Sequence, residues 1–213
     1  MELLNNIEIR VLGSLVEKEV TTPEYYPLTL NALINACNQK SNRDPVVAYD
    51  GQTVNTALES LRKQGLARTM MGDGRVPKYK HYFSEAYTLD PPESAILCEL
   101  MLRGPQTMGE LRGRIERFEM NLMVDEVEML LEMLAAREEP LVVKLPRQPG
   151  RKDSRYAHLL AGMPEITEGE EVATIAAVPR ADRIGQLEAE LAQLKAEITD
   201  LQRQFAEFKA QFE

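Results

Sequence analysis

A chain of 213 residues, 44% hydrophobic and 28% charged, has room for one or two soluble domains and holds no apolar run long enough to span a bilayer. Two cysteines, Cys37 and Cys98, and two histidines, His81 and His158, leave few parts for a disulfide framework, a zinc site or a hydrolase triad. The formal net charge of −9 is uneven, with −1 on residues 1–90, −2 on 91–164 and −6 on 165–213, so local placement decides what the first 164 residues can attract.

The N-terminus MELLNNIEIR has no basic region followed by an apolar core, and with so little cysteine this predicts a cytoplasmic protein. Asn5 with Glu8 three residues on forms a capping box. Ile7, Val11, Leu12, Leu15 and Val16 then supply one apolar stripe of a first helix. Leu30, Leu33, Ile34 and Cys37 mark a second helix, which stops in NQKSNRDP (38–45). Asp50 caps a third, from about Gln52 to Gln64, with Val54, Ala57, Leu58 and Leu61 inward and Gly65 as its stop. Strands follow near Leu66–Met71 and Lys78–Phe83, around the turn GDGRVP (72–77).

Three helices, strand, turn, strand is the order of a winged helix-turn-helix domain, and the order repeats. Asp90-Pro91-Pro92-Glu93 starts a helix, and Thr107 with Glu110 forms another capping box. A third helix covers about Met123–Arg137, and strands are expected at Leu141–Leu145 and Arg155–Leu160 around a basic turn. The fold class expected is therefore mainly α with small β wings (α+β): tandem winged helix-turn-helix domains plus a C-terminal coiled-coil helix. The boundaries are 1–88 and 89–164 for the two winged helices, 165–179 for an acidic linker and 180–213 for the coiled coil. Ile184, Leu187, Leu191, Leu194, Ile198, Leu201, Phe205, Phe208 and Phe212 alternate by three and four, a heptad seam that predicts a homodimer.

NQKSNRDP, the first wing GDGRVPKYKH (72–81) and the second wing LPRQPGRKDSRYAHL (145–159) together resemble the bacterial YceH family of proteins of unknown function. The resemblance covers about residues 3–163. It implies a tandem winged-helix fold and a suspected DNA-binding role, and it brings no ligand or catalytic residue.

Winged helices set their third helix in the major groove and a wing against the backbone. Candidate DNA contacts are therefore Gln52, Asn55, Thr56 and Lys63 on the third helix, where Gln and Asn can pair with adenine edges. Arg68, Arg75, Lys78 and Lys80 on the first wing join them, with Lys40 and Arg43 in the preceding loop and Arg147, Arg151 and Lys152 on the second wing. The third helix of the second copy differs. Asp125, Glu126, Glu128 and Glu132 oppose phosphate, while Met129 and Met133 point outward and suit a protein contact. Partner-binding candidates are Met129 and Met133 together with the seam from Ile184 to Phe208.

No phosphate-cradling glycine motif, metal spacing or nucleophile constellation is present, so no enzymatic activity, cofactor or metal is expected. Two function classes follow: a dimeric DNA-binding transcriptional regulator, with double-stranded DNA as its partner, or a winged-helix adaptor of the chromosome-organising kind that contacts proteins instead.

Overall fold

The structure is a computed structural model that describes residues 2–71, 76–147 and 153–164. The chain divides into two units, Met1–Pro164 and Glu165–Glu213. The acidic linker and the heptad seam therefore lie outside the described residues. Within them the fold is mixed α/β, rich in helix with two small antiparallel sheets.

Local capping sets the helix starts. Helix α1 (Asn6–Thr21) begins where Asn5 Oδ1 accepts the amide hydrogens of Ile7 and Glu8, and Glu8 Oε2 accepts the Asn5 amide hydrogen at 2.7 Å. A 3-10 turn at Pro23–Tyr25 leads to the two-residue strand β1 (Leu28–Thr29) and α2 (Leu30–Cys37). Asp50 Oδ1 accepts from the Thr53 amide at 2.7 Å and opens α3 (Gly51–Lys63). Gly65, at φ 76, supplies the left-handed turn into β2 (Ala67–Met70), which pairs with β3 (Lys78–His81). A short helix, α4 (Phe83–Tyr87), bridges to α5 (Pro91–Arg103).

The pattern then recurs as β4 (Gln106–Thr107), α6 (Met108–Ile115), α7 (Val124–Ala135), β5 (Val142–Lys144) and β6 (Arg155–His158). The first sheet has strand order β1-β3-β2 and the second β4-β6-β5, so the two halves share one topology. The two-residue strands β1 and β4 and helix α4 are additions to the elements expected from sequence.

The single apolar stripe expected of α1 is incomplete. Every residue from Glu8 to Glu17 is buried, as is every residue from Glu93 to Leu102 of α5. The two helices pack against each other, and at Gly13 a Cβ would stand 3.0 Å from Leu102 Cδ2 and 3.1 Å from Met101 Cβ. Cys98 Sγ donates to the Gly13 carbonyl at this crossing.

Polar contacts fasten the same joint. The Leu4 amide donates to the Leu160 carbonyl at 2.9 Å, and the Asp44 amide to the Leu102 carbonyl at 3.0 Å. Glu17 receives both Arg43 and Arg117, and Arg117 also reaches Glu99 at 2.6 Å. Burial alone would push the Glu17 carboxyl up, but the two guanidinium groups outweigh it and hold the carboxyl below its ordinary range. Glu99, fully buried with one arginine, stays raised because burial dominates there.

Candidate nucleic-acid interface

Strand alternation builds a cationic face on the first sheet. In β3, Tyr79 and His81 turn inward, while Lys78 is exposed and Lys80 half-buried on the other face. In β2, Ala67 is buried, and Arg68 and Met70 are exposed. Arg68 stands opposite Lys80, and Met70 opposite Lys78. Like charges directly across a sheet repel. Tyr82 offsets part of that repulsion, with the Arg68 guanidinium 4.0 Å from its ring centroid and Lys80 Nζ 4.5 Å from it. Three cations and an aromatic ring thus share one surface.

That surface runs toward the C-terminal end of α3. An open cleft of about 520 Å³ lies between them, lined by Glu59, Arg62, Lys63, Ala67, Arg68 and Thr69. Three of those six side chains are cationic. Farther up α3, a second open cleft of about 500 Å³ is lined by Gln52, Thr53 and Thr56 on the helix with Asn5 and Glu8 beside it. Gln52 and Thr56 are exposed. The Thr56 hydroxyl donates to the Gln52 carbonyl at 2.9 Å, leaving its oxygen able to accept. Asn55 is half-buried, and its amide donates to Glu59 Oε1 at 3.0 Å, so this pair partly satisfies itself.

The structure brings together Gln52, Thr56, Lys63, Arg68, Lys78 and Lys80 along α3 and the outward sheet face. Arg43 is a correction. It is 4% exposed, its guanidinium grips Glu17 through both terminal nitrogens, and it donates further to the Ala36 carbonyl. No part of that group remains for phosphate. Lys40 is exposed in the loop after α2. Arg75, Arg151 and Lys152 lie outside the described residues, as does the seam of Ile184, Leu187, Leu191, Leu194, Ile198, Leu201, Phe205 and Phe208. Sequence reasoning missed Arg62 and Tyr82. Continuing the alternation of Lys78 and Lys80 by two residues points to Tyr82, and Arg62 sits one turn after Glu59 on α3.

The second half carries opposite chemistry on the same topology. Helix α7 corresponds in position to α3, yet Asp125, Glu126 and Glu132 are exposed on it and Glu128 is half-buried. Met129 and Met133 are 54% and 51% exposed, one turn apart, and Met123 and Val124 are exposed at the helix start. On the second sheet, Lys144 lies 5.6 Å from the Tyr156 ring centroid, and Arg147 is exposed beyond β5.

The remaining reactive groups are enclosed. Burial pushes the Cys37 thiol up to about 11, and Cys98 is also raised, so neither is thiolate at neutral pH. Burial lowers the His158 imidazole to about 4. Among the described residues no group of three His, Cys, Asp or Glu side chains is placed to hold a metal ion, and no helix is long and apolar enough to cross a membrane.

The sequence matches a family model described as "Protein of unknown function, DUF480" over residues 4–151. A UPF0502 protein of Geotalea daltonii is 58% identical over 99% of this chain and 98% of its own length. A UPF0502 protein of Geobacter metallireducens is 57% identical over 99% of each chain. A UPF0502 protein of Solibacter usitatus is 52% identical over 89% of this chain and 91% of its own. With the model spanning both halves of the fold and such relatives matching nearly end to end, the chain belongs to the DUF480 family, to which the UPF0502 proteins are its near relatives.

Proposed function

We propose that this protein binds double-stranded DNA as a tandem winged-helix regulator of the YceH type. In this reading α3 enters the major groove and the outward face of β2–β3 grips the adjacent backbone. The observation that carries it is the cationic surface of Arg62, Lys63, Arg68, Lys78 and Lys80 around Tyr82 on a half whose net charge is close to zero. Holding Arg68 opposite Lys80 is unfavourable in isolation, and a polyanion removes that cost. Gln52 and Thr56 are then the side chains positioned to reach base edges. The heptad seam beyond residue 180 supports a homodimer, which requires paired half-sites.

Fluorescence anisotropy with a random-sequence duplex at low and at physiological salt tests the reading. Binding should be tight at low salt and fall steeply as salt rises. The double variant Lys78→Glu/Lys80→Glu should lose about a hundredfold in affinity at low salt, since each reversal replaces phosphate attraction by repulsion. Absence of binding by the wild-type chain at low salt overturns the proposal.

A second reading rests on α7. Its exposed methionines, set among carboxylates that disfavour DNA, support an adaptor that docks a protein there. In that case the wing reversals leave partner capture intact, whereas Met129→Glu/Met133→Glu abolishes it.

A further inference from the structure

A partly open, mostly apolar cavity of about 190 Å³ lies where the two halves meet. Val16 and Val20 of α1, Leu89, Ala95 of α5, Phe118 and Met120 form its apolar wall. Cavities of about 150 Å³ with such walls accept a benzene-sized molecule. Of the polar groups that line it, Ser84 and Ser94 hydrogen-bond to each other at 2.8 Å, and His81 of β3 meets Glu19 of α1.

The geometry of that pair defines what would fit. His81 is 3% exposed, and its Nδ1 accepts the Phe83 amide hydrogen, so the ring proton sits on Nε2. Nε2 lies 2.8 Å from Glu19 Oε2, yet the contact is too bent to satisfy the ring N–H. A buried donor is therefore left under-used beside a carboxylate oxygen. The Glu19 side chain is 45% exposed and Val20 41%, which places an entrance at the α1 edge.

We propose that this cavity binds a small monocyclic phenol or aryl alcohol, whose hydroxyl donates to Glu19 and accepts from His81 Nε2. A carboxylic acid would set its own charge against Glu19. An amine would satisfy Glu19 and leave the His81 N–H without an acceptor. A plain hydrocarbon would fill the chamber and leave both polar groups unmet. The His81 contact, with help from Lys80, holds the Glu19 carboxyl below its ordinary range against the effect of burial, so it is an ionised acceptor at neutral pH. Because α1 and α5 both line the cavity, such a ligand would touch both halves at once.

Titration of the full chain with phenol and, separately, with toluene, read by calorimetry and by two-dimensional NMR, tests the proposal without reference to DNA. Phenol should bind about tenfold more tightly than toluene, the discrimination expected of one hydrogen bond to a charged group. Glu19→Leu, a change at a partly exposed site, should bring the two affinities together. Val20→Trp should plug the entrance and abolish both, and Ala95→Leu should do the same from the opposite wall. Equal binding of phenol and toluene by the wild type overturns the proposal. So does the absence of phenol binding at millimolar concentration, or binding that survives whichever of the two plugging variants is folded by NMR.

Discussion

Arg43 illustrates how far a residue's role depends on what lies opposite it. In the string NQKSNRDP it stands in a polar loop ahead of α3, where an arginine reads as a phosphate contact. The fold instead directs it inward, onto Glu17, across 26 positions of sequence. Removing Arg43 leaves the buried Glu17 carboxylate with Arg117 alone and takes a charged donor from the Ala36 carbonyl. Arg43→Ala should therefore cost about 2–3 kcal/mol in a urea titration, less than for a fully stranded charge. Affinity for DNA, corrected for the folded fraction, should be unchanged. Lys78→Glu/Lys80→Glu should show the reverse, with a normal unfolding midpoint and lost affinity. A stable Arg43→Ala protein with weakened DNA binding would return Arg43 to the interface.

Among the elements, the crossing of α1 and α5 decides most of the architecture. Gly13 eases it, because a Cβ there would press on Leu102 and Met101 at 3.0–3.1 Å. Gly13→Leu should destabilise by about 1–3 kcal/mol or more, the usual penalty of overpacking, as read from a urea midpoint. Gly109→Leu on α6 is the control: a Cβ there meets nothing within 4 Å, and a better helix former should be neutral or slightly stabilising. Comparable losses in both would remove the crossing from its central place. The same elements show what sequence reveals. The capping boxes at Asn5–Glu8 and Thr107–Glu110 and the stop at Gly65 were legible because each is a local bargain among a few neighbouring residues. Strands β1 and β4 were not, since two residues carry no period and become strands only by pairing with β3 and β6. The second buried face of α1 was hidden for a related reason. Arg10 and Glu17 look like solvent-facing positions, and distant partners alone make them interior: the Cys37 carbonyl for one, Arg43 and Arg117 for the other. At the candidate interface, alternation made Lys78 and Lys80 legible, whereas Asn55's engagement with Glu59 depends on rotamers that a sequence does not display.

The whole unit is one topology used twice with opposite surfaces. The first copy presents cations beside a helix of near-neutral polarity, and the second presents carboxylates and methionines at the matching helix. Any partner that recognises the shared backbone arrangement still discriminates the copies by charge. The two copies are not independent bodies, however. Leu4 hydrogen-bonds to Leu160, Gly13 packs on Leu102, and Glu17 draws on Arg117. A fragment of residues 1–88 should therefore fail to give a cooperative thermal transition by circular dichroism, although it contains all the strands of its own sheet. A sharp transition in that fragment would show the first half to be self-sufficient.

The joint between α1 and α5 also has a meaning in time. Synthesis runs from the N-terminus at roughly 5–20 residues per second, so α1 leaves the ribosome several seconds before the helix that covers it. During that interval Glu17 lacks Arg117, and the Leu4 amide still waits for a carbonyl more than 150 positions downstream. Helix α1, made before its partners, is thus among the last to be finished. A nascent chain of this protein carries part of its future interior exposed until α5 and Arg117 have been made, which makes elongation rate, and whatever shields the emerging α1, part of how the fold is reached.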